Sequence, residues 1–476
     1  MLKALGSVKA PRARSLMNAC SARRSSRTGS ASRGWSTATK LSRRRNAEQL
    51  ITSMSRRGVR SVALLSLLAL SVAMYVVSGL ADPYLVADDF QGIAGGHVFT
   101  WDRIRNALGT NSFYRPVIDV WFAVVVRVCG SSTTCYHGAN LTIHLANVAL
   151  CFYLGVLLAG GVRVPFLAGL LFALVPGDTQ AVVWVSAVTE LSATLFFLAS
   201  LVAQARSWSV SGEVQRKAHE VLAVLCLVGA LFSHEAAATL PLVSVVMWWQ
   251  FKPGTLRQRR ILIVSFVVAL ATFAGATWLA NRRNTLFLES NYTVGWHGLR
   301  HAFGYLVALY VGPPGWLAYL FCLAGVTVLL LANATTRFGT IFMLATIVPF
   351  VWFTSGTYSR YLYLPAAGFS IAVGAGLTAL VDLIGPRSRL ERHVVRVAYG
   401  VAVVFIAVRF GQFYLASIQG HVKWTKPWQD YAKRLSAETR RAHSALRAPR
   451  CSTRKEGRPS TSNRLCAGCS TTTPAR

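Results

Sequence analysis

The sequence predicts an all-α, polytopic membrane protein of about 11 transmembrane helices, and three observations predict it. First, 53% of the 476 residues are hydrophobic and the mean hydropathy is +0.43. Second, long stretches between Ser61 and Ala416 carry almost no charge. Many are close to the ~20 apolar residues that a helix needs to cross a hydrocarbon core. Third, Lys and Arg, 50 against 17 acids for a net charge of +33, gather at the chain ends and in alternate short connections, as the positive-inside rule requires.

Residues 1–60 are rich in Ser, Ala and Arg, hold a single acid, Glu48, and show no apolar period. They read as a basic, disordered cytoplasmic arm. A cleaved signal peptide is not expected, because the first apolar run starts ~60 residues in and is of spanning length; the composition also fits an organelle transit peptide. Spans are expected near 61–80, 138–160, 164–176, 180–203, 220–233, 236–251, 261–280, 315–333, 338–354, 363–384 and 396–415, all within a membrane domain over 61–416. With the N-terminus cytoplasmic, the inner connections carry Arg163; Arg206, Arg216 and Lys217; Lys252, Arg257, Arg259 and Arg260; Arg337; and Arg387, Arg389, Arg392 and Arg396. Two long outer loops, 81–136 and 281–315, remain, the second with an apolar stretch at 298–312 expected to lie in the interface. A basic tail, 417–476, follows, low in complexity and disordered after 449. Such basic flanks explain the charge without nucleic-acid binding, so the expected partner is the lipid bilayer.

The nine cysteines offer no metal-binding spacing; Cys466 and Cys469 form a lone C-x-x-C in the tail. Cys129 and Cys135 share an outer loop where a disulfide would persist, and two free thiols are the equal alternative.

Ionisable groups within a membrane domain are costly and often functional. Asp88, Asp89, Asp178, Glu190 and Glu235 all fall at the outer ends of expected spans, which implies a hydrated cavity open to that side. Helix capping or pairing with Arg is the plain alternative; for Asp178 it stands level with function, whereas the adjacent Asp88 and Asp89 gain little from capping. His137, Asn140, His144 and Asn147, at offsets of 3, 7 and 10, share one helix face. That stripe must meet protein or water, as a cavity wall or as hydrogen bonds between helices. Metal ligation is the weaker option, since the two His lie ~10 Å apart along the axis, and no metal or cofactor is expected. Ser359 to Pro365 places Arg360 between aromatics at a membrane surface, where a guanidinium suits a lipid phosphate or the segment is an ordinary aromatic anchor.

In order, these segments resemble the C-type glycosyltransferases, above all the transmembrane O-mannosyltransferases with tetratricopeptide repeats and their bacterial relatives. Asp88-Asp89 follows the first span. Tyr114-Arg115-Pro116 and then His137-x-x-Asn140-x-x-x-His144 are similar to the family's Y-R-P and H-x-x-N-x-x-x-H. The stretch from Pro176 to Leu191, with Ala181-Val182-Val183-Trp184-Val185-Ser186, resembles H-P-x-H-x-E-A-V-A-W-V-S-G-R-x-D-L-L. Ser233-His234-Glu235-Ala236 and Leu240-Pro241 resemble S-K-E-x-A and its later L-P, and Arg360-Tyr361-Leu362-Tyr363-Leu364-Pro365 matches R-Y-L-Y-L-P. The chain departs where Val175 and Asp178 replace two histidines, Gln180 a Glu, Val188 an Arg, Glu190 an Asp and His234 a Lys. The family's repeats are not recognisable; Trp424 to about Arg447 looks at most like their helical start.

The resemblance implies a C-type fold that transfers a sugar, mannose-like, from a polyprenyl-phosphate donor to an acceptor hydroxyl on a protein, lipid or glycan, with inversion, on the non-cytoplasmic face. The membrane would be bacterial inner membrane or endoplasmic reticulum. Asp88 or Asp89 would be the general base. Arg360, with Tyr361, Tyr363 and Arg115, would hold the donor phosphate, and His137, Asn140, His144, Glu190 and Glu235 would line the sugar or acceptor pocket. Arg282 and Arg283 would help dock the carrier lipid. Some relatives use a divalent cation; none is expected here. A transporter or lipid-linked-glycan carrier would also want a polar cavity, though no inverted repeat is visible, and an inactive relative would look much the same. An enzyme predicts that Asp88 or Asp89, Arg360 and the His137–His144 stripe converge on one cavity; a transporter predicts a midplane site between pseudo-symmetric halves.

Overall fold

The computed structural model describes residues 57–77, 85–86, 88–106, 113–175, 178–251, 260–281, 291–310, 316–354, 359–384 and 388–447. The arm before residue 57, the tail beyond 447 with Cys466 and Cys469, and Arg282 and Arg283 lie outside the described residues.

The described chain is all-helical, with one isolated bridge between Tyr292 and Phe353. In order the helices are α1 (Arg57–Val77), α2 (Asp88–His97), α3 (Trp101–Asn106), α4 (Pro116–Cys129), α5 (Thr133–Ala159), α6 (Arg163–Leu174), α7 (Asp178–Val183), α8 (Val188–Ser207), α9 (Glu213–Leu231), α10 (Leu240–Phe251), α11 (Arg260–Asn281), α12 (Trp296–Tyr310), α13 (Trp316–Leu331), α14 (Ala334–Ile347), α15 (Tyr363–Ile384) and α16 (Arg389–Arg447). Among the described residues six helical stretches are long and apolar enough to cross a membrane: Arg57–Val77, Thr133–Ala159, Val185–Ser207, Leu262–Ala280, Ser359–Ile384 and His393–Ser417. Three shorter apolar helices accompany them, Arg163–Leu174, Trp316–Leu331 and Ala334–Phe350. The chain is a multi-pass membrane protein by this count.

Local signals set the helix ends. Pro116 stands in the first turn of α4, where its missing N–H costs nothing. Asn333 accepts a hydrogen bond from the Thr336 N–H at 3.0 Å and caps α14, and α5 stops at Gly160, whose φ of +75° suits glycine,. Cys129 and Cys135 form a disulfide that closes the turn between α4 and α5, so the disulfide alternative holds.

One large apolar cluster joins α5, α6, α8, α9, α10, α14 and α15, with Phe172, Phe197, Leu201, Leu227, Met247, Phe338, Phe342 and Ile371 buried. A smaller one, with Ile118, Phe122, Val126, Tyr136 and Val188, seats α4 against α5 and the start of α8. Gly92 and Gly96 of α2 lie so close to Phe122 that a Cβ on either would collide with its ring or backbone. That close fit holds α2, and with it Asp88 and Asp89, on the main bundle.

The expected span at 180–203 is not one continuous helix. α7 ends at Val183, Trp184 is extended (φ −84°, ψ 119°), and a single 3-10 turn, Val185–Ala187, leads into α8. The backbone groups freed by the break have other partners. The Asn140 side-chain amide donates to the carbonyls of Trp184 and Val185 at 3.1 and 3.3 Å, and the Ser186 N–H donates to Asp89 Oδ1 at 2.7 Å. Irregular backbone at membrane depth survives where protein satisfies it in this way.

Candidate active site

The break between α7 and α8 forms one wall of a polar cavity of about 300 Å³. Asp88 reaches it from the first turn of α2, Arg115 from the residue before α4, and Glu190 from the first turn of α8. His234 comes from the turn between α9 and α10, and Arg360 and Tyr361 from the 3-10 turn that leads into α15. Trp184, Ser186, Thr189, Tyr292, Phe350 and Phe353 complete most of its lining.

Arg360 is fixed by its surroundings. Its guanidinium lies 4.7 Å from the centre of the Trp184 ring and 4.9 Å from that of Tyr361, and Nη2 donates to the Tyr361 hydroxyl at 3.2 Å. Gln180 Oε1 accepts from the Arg360 N–H and from the Ser359 hydroxyl at 3.1 and 3.0 Å, so Gln180 anchors this turn. Phe350 stacks on Tyr361 with ring centres 4.4 Å apart. A cation held between aromatic faces keeps its charge while its stem is ordered, which suits it to meet a phosphate without reorganising.

A second set of charges runs across the floor. Arg115 donates to Glu235 through Nε at 3.2 Å and Nη2 at 2.6 Å, a two-point pair,. His234 Nε2 lies 3.1 Å from Glu190 Oε1, and its Nδ1 accepts from the Ala236 N–H at 3.1 Å. Cavity, acids and cations therefore come from segments far apart in the chain.

The two adjacent aspartates separate. Asp88 is exposed at the cavity. Asp89 is fully buried, its carboxylate taking the Val86 N–H at 2.8 Å and the Ser186 N–H at 2.7 Å. Burial pushes Asp89 up to about 6, against the pull of those hydrogen bonds, with a smaller upward push from the neighbouring Asp88 charge. The expectation that the two adjacent acids gain little from local capping is thus corrected for Asp89, which satisfies one backbone N–H just before α2 and one within the α7–α8 break.

The polar stripe of α5 is also placed otherwise than as a cavity wall. His137, Asn140, His144 and Asn147 are all buried, and none lines the cavity. Asn140 serves the α7–α8 break. Asn147 donates to the Leu191 carbonyl at 3.0 Å and to the Tyr363 hydroxyl at 3.2 Å, and His144 Nδ1 lies 2.8 Å from the same hydroxyl. Tyr363, expected at the donor phosphate, is fully buried in this network. Of the three features expected to converge, Asp88 and Arg360 do so and the stripe stands behind them. Glu235 reaches the site through Arg115. Asp178 opens α7. Trp184, Thr189, His234 and Tyr292 were not singled out as site residues. Trp184 and His234 sat within the motif blocks that signalled them, whereas Tyr292 is placed by the pairing of residues 291–293 with 352–354, which no local pattern announces. Among the described residues no group of three or more His, Cys, Asp or Glu is arranged to hold a metal ion.

No protein-family model matches the sequence. Mouse protein O-mannosyl-transferase TMTC2 is 28% identical over 199 residues, covering 39% of this chain and 24% of the mouse protein. Protein O-mannosyl-transferase F38B6.6 of Caenorhabditis elegans is 24% identical over 276 residues, covering 52% of this chain and 38% of the worm protein. The chain thus matches well under half the length of these curated relatives, and its homology to them is distant. Among solved structures, the apo oligosaccharyltransferase of Archaeoglobus fulgidus aligns over 75% of this chain and 56% of its own, with a TM-score of 0.43 and 14% identity. The archaeal oligosaccharyltransferase AglB of the same organism, in complex with an inhibitory peptide and a dolichol-phosphate, aligns over 75% and 55%, with a TM-score of 0.44 and 14% identity.

Proposed function

We propose that this membrane protein is a glycosyltransferase that moves a sugar from a polyprenyl-phosphate donor to an acceptor hydroxyl in the cavity bounded by Asp88 and Arg360. The observation that carries the reading is the convergence of Asp88, Arg115, Glu190, His234 and Arg360 from separate parts of the chain on one polar cavity. Distant homology to membrane O-mannosyltransferases supports the reaction class and makes a mannosyl donor the first to test.

In this reading the acceptor oxygen attacks the anomeric carbon as the bond from that carbon to the phosphate oxygen breaks, and the phosphate leaves with the bonding pair. The acceptor proton passes to the Asp88 carboxylate, help worth on the order of 10²–10⁴-fold. Arg360, already ordered between Trp184 and Tyr361, takes up the charge that develops on the phosphate. The acceptor is a hydroxyl of a protein, lipid or glycan. The Cys129–Cys135 disulfide at the start of α5 supports a site on the non-cytoplasmic side of a bacterial inner membrane or the endoplasmic reticulum, with the N-terminus cytoplasmic.

The test is transfer from a polyprenyl-phosphate mannose by Asp88→Asn and Asp89→Asn variants reconstituted in lipid. Asp88→Asn is expected to lose about 10²-fold or more in kcat with the fold intact. Full activity in Asp88→Asn would remove the assigned base.

A further inference from the structure

We infer that His234 and Glu190 form a proton-taking counter-charge: an anionic phosphodiester entering the cavity brings about one proton onto this pair, so that its affinity falls as pH rises. The inference rests on the donor class proposed above and adds a linkage that the reaction itself does not require.

Both partners are nearly enclosed, with side-chain exposures of 7% for His234 and 4% for Glu190. The Ala236 N–H is donated to His234 Nδ1, so a neutral ring carries its hydrogen on Nε2, directed at Glu190 Oε1 3.1 Å away. Glu235 Oε2 stands 3.5 Å from Nδ1. In the neutral ring two acceptors face each other there; in the protonated ring Nε2 still faces Glu190, while Nδ1 exchanges the Ala236 N–H for a proton turned toward Glu235, so that two carboxylates flank the cation,. The imidazole therefore gains its proton between two carboxylates, at the expense of the Ala236 hydrogen bond.

The fixed charges around it make that gain useful. Glu235 already has the two-point pair with Arg115, whereas Glu190 pairs with His234. Across the cavity stand Asp88 on α2 and Arg360 before α15. Tyr361 and Phe350, whose ring centres lie 6.5 and 5.6 Å from that of His234, and Tyr292 add no fixed charge. Three carboxylates, Asp88, Glu190 and Glu235, thus face two guanidiniums, Arg115 and Arg360. A bound phosphodiester adds another negative charge to a partly enclosed site where charges are poorly screened. Among these groups His is the one whose ordinary titration range, between pH 5 and 8, lets it answer by taking a proton.

The measurement is binding of a short-chain polyprenyl phosphomannose to the full chain in lipid nanodiscs. Its phosphodiester keeps one fixed charge across this pH range, so any pH dependence belongs to the protein. Wild type is expected to weaken by about tenfold between pH 6 and 8. Calorimetry in buffers of different ionisation enthalpy is expected to read close to one proton taken up per ligand at the upper end. His234→Lys, with a charge fixed over this range, should hold the tight affinity at both pH values, and His234→Gln the weak one. Binding by wild type with neither proton uptake nor pH dependence overturns the inference, whether or not the variants fold. No binding at any pH overturns the donor class and this linkage together, so the two failures are distinct.

Discussion

The Asp89 carboxylate accepts the Ser186 N–H at 2.7 Å, across nearly a hundred residues of chain. The contact ties the first turn of α2 to the point where α7 gives way to α8. It explains how one of two neighbouring acids can serve the fold while the other faces the cavity. Holding a buried carboxylate costs free energy, and burial raises Asp89 to about 6, above the ordinary ~4 of an unfolded chain. The folded protein therefore binds this proton more tightly than the unfolded one. The resulting stabilisation is complete below about pH 4 and is lost as pH rises through about 6. The Tm of wild type minus that of Asp89→Asn is expected to fall between pH 5 and 7.5, since Asn carries no titrating group. A difference that stays flat over that interval would contradict the burial argument.

Much of this arrangement was legible in the sequence, for identifiable reasons. Uncharged runs mark apolar helices, because bare backbone and charge are both costly in lipid, and α15 begins and ends where its apolar run does. Asp88, Glu190 and Arg360 stood out as ionisable groups where such groups are rare, and Arg115 only through the Tyr114-Arg115-Pro116 motif. The α5 stripe shows where a sequence pattern stops being decisive. A period of 3 and 4 on one helix face shows that the face is not towards lipid, but the same pattern serves a wet cavity and a dry helix contact equally. The break at Trp184 was illegible for a related cause. No Gly or Pro interrupts 178–207, and the groups that capture its backbone, Asn140 and Asp89, come from other parts of the chain.

Tyr363 and Arg360 lie three residues apart and are expected to fail differently. The Tyr363 hydroxyl is shared by Asn147 and His144 in a fully buried network. Tyr363→Phe would leave both without that partner, at a cost of about 1–3 kcal/mol, read as a lower Tm with KM for the lipid-phosphate donor nearly unchanged. Arg360→Lys removes the planar fork and its stacking between Trp184 and Tyr361 but keeps a charge. It is expected to raise donor KM several-fold at nearly constant Tm. The opposite pattern, with KM moving in Tyr363→Phe and Tm in Arg360→Lys, would return Tyr363 to the donor site.

The seat of Arg360 also depends on a contact made well away from it. α14 and α15 cross at Gly339 and Gly368. A Cβ on Gly339 would lie 2.6 Å from the Ala372 backbone nitrogen and 2.7 Å from the Gly368 carbonyl oxygen, and one on Gly368 would lie 2.5 Å from the Met343 backbone nitrogen. Every atom met is backbone, so no side chain can turn aside and the helices themselves must part. Within a bilayer, where lipid tails compete on equal terms with apolar side chains, such close approach of small residues is what binds helix to helix. Parting α14 from α15 would move Phe350, just beyond α14, relative to Tyr361, just before α15, and so loosen the stack that holds Tyr361 beside the guanidinium. Gly368→Ala is therefore expected to lower Tm by several degrees and also to raise donor KM, although it touches nothing in the cavity. Gly376→Ala, two turns further along α15, meets first the end of the Leu329 side chain, 2.9 Å from the added methyl, which can rotate away. It should cost little in either measurement. Equal losses in the two variants would show that crowding along α15 in general, and not the backbone crossing at Gly368, governs the position of the turn that bears Arg360.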